Sequence, residues 1–114
     1  MDKNNKWVVK AGSSLVSGNN EGINNTFIND LVNQVDYLRK KDQDVVIISS
    51  GAVAKGMHEM GFKERPASLH LLQACAAVGQ RGLIQIYQSE FDKHNYKTAQ
   101  VLISHDDISN RVRY

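Results

Sequence analysis

At 114 residues the chain is long enough for one ordinary domain, or part of a larger one. Hydrophobic residues at 41%, charged residues at 23% and a single proline favour a folded globular protein over a disordered one. The 14 basic and 12 acidic residues are mixed along the chain; their net charge of +2 gives no electrostatic case for nucleic acid or a membrane surface as partner.

No apolar run approaches the roughly 20 residues of a membrane helix, and residues 1–6 lack the apolar core of a signal peptide. Cys75 stands alone, so no internal disulfide can form, and a reducing cytoplasm is the expected compartment. Lys6–Ala11 (Lys-Trp-Val-Val-Lys-Ala) is a compact strand candidate, followed by a small-residue turn, Gly12-Ser13-Ser14. Residues 17–25 are rich in turn formers and read as a loop, with Asn25 or Thr26 able to cap the next helix. Over residues 27–41, Ile28, Leu31, Val35 and Leu38 recur at spacings of three and four and mark one apolar face. Asp30 near its start and Arg39, Lys40 and Lys41 at its end suit the helix dipole.

The chain is organised around residues 45–56, Val-Val-Ile-Ile-Ser-Ser-Gly-Ala-Val-Ala-Lys-Gly. Four apolar β-formers in a row read as a strand buried on both faces of a parallel sheet. With the elements before it, this strand completes a strand–helix–strand unit, whose crossover is expected to be right-handed. Ser49, Ser50 and Gly51 then supply hydroxyls and unobstructed backbone where strand gives way to helix. Ligands of open α/β folds bind outside the carboxyl ends of the strands, and a helix start favours an anionic group.

The helix after Ser50 runs to about Met60, where Gly61 can stop it. Residues 62–66 form a loop, and Ser68 can cap a longer helix reaching about His94. That helix carries Leu71, Leu72, Cys75, Val78, Leu83, Ile86 and Tyr87, with a small surface at Ala74, Ala76, Ala77 and Gly79 suited to close packing. Cys75 reads as a buried small hydrophobe. Gly79 and Gly82 each weaken a helix by about 1 kcal/mol relative to alanine, so a kink or a close approach is expected there. Residues 97–104 read as a third strand, with His105, Asp106 and Asp107 at its end and Asp106 or Asp107 capping a further helix over 108–114. That pattern has no closing glycine or proline, and a fragment of a longer protein is expected.

His58, His70, His94 and His105 are dispersed without paired ligand spacing, so no metal site is expected. Neither a Walker motif nor a Gly-x-Ser-x-Gly elbow is present. Lys10 reads either as a solvated strand-end lysine or as an ammonium that approaches a phosphate, with Gly12 to Ser14 letting backbone N–H groups crowd round it. In a parallel sheet the loops 10–14 and 49–52 lie on one edge, where a phosphate donor and an anionic acceptor could meet.

Together Val8-Val9-Lys10-Ala11-Gly12-Ser13-Ser14, Ser49-Ser50-Gly51-Ala52-Val53-Ala54, Ala76-Ala77-Val78-Gly79-Gln80, Ala99-Gln100-Val101-Leu102 and Asp106-Asp107-Ile108-Ser109-Asn110-Arg111 with Tyr114 resemble the N-terminal part of the glutamate 5-kinases of the amino acid kinase family. The resemblance covers nearly the whole chain. It implies a three-layer α/β/α fold with a mostly parallel sheet, of which residues 1–114 are an incomplete N-terminal part. It also implies ATP-dependent phosphorylation of the γ-carboxylate of L-glutamate, the first step of proline biosynthesis.

Carried over by this resemblance, Lys10 is the catalytic lysine contacting the transferring phosphoryl group. Gly12, Ser13 and Ser14 surround the ATP phosphates, Ser50 binds glutamate, and Gly51 and Ala52 lend it backbone donors. Magnesium would arrive with the ATP, and the implied assembly is a homo-oligomer. Ala11 departs from the pattern, where a bulkier apolar residue is expected. Further glutamate-binding residues, a catalytic aspartate, the base pocket and a second lysine would lie beyond Tyr114, so the 114 residues alone are expected to be inactive. The alternatives are a family member with another acceptor and a non-catalytic fragment.

Overall fold

The computed structural model of the protein describes residues 5–18 and 22–102. Strands β1 (Lys6–Ala11) and β2 (Asp44–Ser49) pair in parallel, with Lys6 opposite Asp44 and Ala11 opposite Ser49. Parallel partners need a crossover, supplied by a one-turn helix α1 (Ser13–Ser17) and a longer helix α2 (Asn25–Arg39). Helices α3 (Ala52–Met60) and α4 (Leu69–Asp92) follow β2. Among the described residues none of these helices is long and apolar enough to cross a membrane.

The core forms where three periodicities meet. Val9 and Ala11 of β1 with Val45 and Ile47 of β2 line one face of the sheet. Against them lie Ile28, Leu31, Val32 and Val35 of α2 and Leu83, Tyr87 and Phe91 of α4. Burying an aliphatic or aromatic side chain of this kind contributes roughly 1.5–3 kcal/mol. The other face of the sheet is open: Val8, Val46 and Ile48 are more than half exposed. β2 is therefore covered on one face, against the expectation of two, and its unbroken apolar run conceals an alternation of half-buried and exposed residues. The α/β class stands, while a third layer is not built by the described residues.

Most helix boundaries follow from capping. Asn24, one residue before the expected caps, accepts from the Phe27 amide at 3.0 Å and starts α2. α2 stops at Arg39, two residues early, because the chain turns back through Asp42 at φ 60° and the Gln43 amide bonds the Leu38 carbonyl. Ser68 caps α4 through the Leu71 amide, and Gly61 closes α3 at φ 79°, both as expected. The small-residue turn after β1 is instead the start of α1: Gly12 is its N-cap, and Ser13 already lies in the helix.

The ends of α2 and α4 are joined by a polar clasp. Asp36, 9% exposed, accepts from Tyr96 Oη at 2.9 Å and Lys40 Nζ at 2.9 Å, with His94 Nδ1 at 3.4 Å. The Lys40 hydrogen bond leads the effects that hold the Asp36 carboxyl below its ordinary pKa.

Residues 97–102 do not form the expected third strand. The chain leaves α4 through Asn95 at φ 64°, and Gln88 of α4 then takes both the Tyr96 carbonyl and the Thr98 amide. A cavity of about 620 Å³ separates residues 98–102 from β2. A strand exists only by pairing, and here the local anchors win. Ile103 and Ser104, the His105-Asp106-Asp107 group, the helix expected over 108–114 and residues 19–21 of the expected loop lie outside the described residues.

Candidate functional site

The parallel register brings the two strand ends together. Lys10 stands opposite Ile48, Ala11 opposite Ser49, and the Ser50 amide donates to the Ala11 carbonyl at 2.9 Å. Lys10, Gly12, Ser13, Ser14, Ser50, Gly51 and Ala52 thus all lie at the carboxyl edge of the sheet. Lys10 is exposed and shares the open face with Val8 and Ile48. Within residues 10–16 and 49–53 Lys10 carries the one charged side chain.

The first loop is roomy. Gly12 has an ordinary extended backbone, φ −73° and ψ 160°, and a Cβ added there would meet nothing within 4 Å. Its carbonyl accepts from the Leu15 and Val16 amides, and Ser13 and Ser14 are exposed. Ser17 Oγ bonds back to the Ser13 carbonyl.

The second loop is tightly held. Gly51 sits at φ 112°, where side chains are disfavoured, and an added Cβ would lie 2.8 Å from Val16 Cγ1. Val16 is fully buried, so it wedges the two loops against each other. Behind them α3 and α4 touch backbone to backbone: a Cβ on Gly79 would fall 1.7 Å from the Ala52 carbonyl oxygen, and one on Gly56 1.7 Å from that of Cys75. The close approach expected at Gly79 is thus present, and Cys75 is fully buried as expected.

One partner was not legible in advance. Tyr87, read as part of the apolar face of α4, reaches the end of β2 and places its hydroxyl 2.9 Å from Ser49 Oγ. Burial raises the Tyr87 pKa, which keeps the phenol protonated. The available signal was a tyrosine in an apolar stripe, whose hydroxyl needs a polar partner when buried.

A family model, that of the amino acid kinase family, matches residues 5–114. The chain belongs to the amino acid kinase family. Among curated relatives it is 50% identical over 109 residues to the glutamate 5-kinase of Nitrosococcus oceani, covering 96% of this chain and 29% of that protein. The glutamate 5-kinase of Hydrogenovibrio crunogenus is 49% identical over 112 residues, covering 98% and 30%. That of Saccharophagus degradans is 51% identical over 109 residues, covering 96% and 29%. The chain therefore spans about 30% of the length of these curated relatives. Membership of the amino acid kinase family accounts for the α/β order of elements. It leaves the roles of individual side chains to chemistry.

Among the described residues no group of three His, Cys, Asp or Glu side chains could hold a metal ion. The donors at this sheet edge are an ammonium, hydroxyls and amides, which suit anions and not a divalent cation.

Proposed function

We propose that the protein to which this chain belongs transfers the γ-phosphoryl group of ATP to the γ-carboxylate of L-glutamate. In this reading residues 1–114 are the N-terminal part of the kinase domain and carry one portion of the active site. The observation that carries it is the register of β1 against β2, which gathers Lys10 and the Ser50–Ala52 corner on one edge. The names of the relatives supply the acceptor.

Phosphoryl transfer asks a protein mainly for positioning and charge stabilisation. Lys10, the cation of this edge, neutralises charge on the phosphoryl oxygens as they move. The space beside Gly12 lets phosphates approach the backbone, with the Ser13 and Ser14 hydroxyls as donors. Ser50 contributes its hydroxyl, and Gly51 and Ala52 their amides, to the acceptor carboxylate. Since the residues described at this edge do not suit a metal, magnesium comes bound to the ATP phosphates, and no step is assigned to it here. The single buried Cys75 suits a cytoplasmic enzyme, and the open sheet face suits burial in a larger domain or a homo-oligomer.

The test uses the full-length protein with ATP, magnesium and L-glutamate, trapping γ-glutamyl phosphate with hydroxylamine. Hydroxamate formation that depends on both substrates is expected. Its absence, or equal turnover with aspartate or carbamate, overturns the assignment.

A further inference from the structure

We propose that Tyr87 and Ser49 are positioning residues that lock the Ser50–Gly51 peptide and thereby aim the Gly51 amide at the acceptor. The proposal rests on the preceding reading of the second loop as the acceptor site. Ser49 Oγ lies 2.9 Å from the Ser50 carbonyl oxygen and 2.9 Å from Tyr87 Oη. A serine hydroxyl has one proton, and a carbonyl can only accept. The Ser49 proton therefore goes to the Ser50 carbonyl, and Tyr87 donates to Ser49. Burial keeps the phenol in the protonated form this direction requires.

The lock has a reason. A peptide that precedes glycine flips easily, because glycine tolerates φ on both sides of zero. A flip at Ser50–Gly51 would replace an N–H donor by a carbonyl oxygen, which repels an anionic acceptor. The described chain contains no cis peptide, so the Ser50 C=O and the Gly51 N–H point in opposite directions. Holding the carbonyl toward Ser49 turns the amide outward. Among the described residues that amide has no acceptor. Tyr87 is only 5% exposed and sits in the core beside Leu83 and Phe91, so the anchor is rigid.

Tyr87→Phe keeps the ring and removes only the donor, and Ser49→Ala removes the relay. In the full-length protein each is expected to lower kcat/KM for glutamate about tenfold while changing the KM for ATP by less than about twofold. The double variant should be little worse than either single one, and Ser49→Thr, which restores a hydroxyl, should recover most of the loss. Glutamate kinetics unchanged in both single variants overturn the proposal, as does an equal loss toward both substrates. Wild-type protein without turnover on glutamate defeats only the acceptor assignment. The lock is then read without turnover from the Gly51 amide resonance, which Tyr87→Phe must shift or broaden; an unchanged resonance overturns the lock.

Discussion

The two loops at the carboxyl edge of the sheet are both built of glycine and serine, yet the fold treats them differently. Around Gly12 the backbone is relaxed and the space beside it open. Around Gly51 the backbone is left-handed, wedged by Val16, and backed by α3 and α4 in backbone contact. The glycine of the first loop leaves room for something outside the protein. The glycine of the second is demanded by the protein itself. Small residues alike in sequence can thus leave open space in one place and permit close packing in another.

Breaking the support of the second loop should have the largest effect. Gly79→Ala drives a methyl into the Ala52 carbonyl, so full-length protein should lose about 3 kcal/mol or more in chemical denaturation, toward the upper end for overpacking. Lys10→Met comes next and separates chemistry from stability. The exposed side chain is dispensable for folding, whereas kcat should fall about 100-fold to 1,000-fold with melting temperature unchanged.

Gly51→Ala and Gly12→Ala test the contrast directly. At φ 112° the first should cost roughly 1–3 kcal/mol by denaturant titration. At φ −73° the second should be neutral or stabilising by about 0.4–1 kcal/mol, while the KM for ATP rises. Equal stability losses would erase the distinction between the loops.

The smallest effect concerns the clasp that joins the ends of α2 and α4. Asp36 titrates below its ordinary value of 3.8, chiefly through the Lys40 hydrogen bond. A depressed carboxyl contributes stability that is fully present above its unfolded pKa and lost as pH falls through the folded one. Melting curves taken below about pH 4 should therefore show wild type losing stability more steeply than Asp36→Asn. Parallel pH profiles would remove the clasp from the account.

Much of this could be read in advance because it is local. The caps at Ser68 and Gly61, the stripe of Ile28, Leu31 and Val35, and the parallel strands around a helical crossover all follow from nearest neighbours and periodicity. The expectation for residues 97–102 failed because strand propensity cannot see Gln88 taking the partners that a strand needs. β2 was read as buried on both faces because an apolar run states what a strand could bury, not what lies over it.

The order of residues alone determined that Lys10 and Ser50 each lie beside the carboxyl end of a strand, and that a helix joins those strands. Their meeting on one edge, and the hold of Val16, Gly79 and Tyr87 on the second loop, were decided only by folding. Tyr87 is 38 residues from Ser49 in the chain. Contacts across such separations depend on how helices seat against the sheet, which no local spacing encodes.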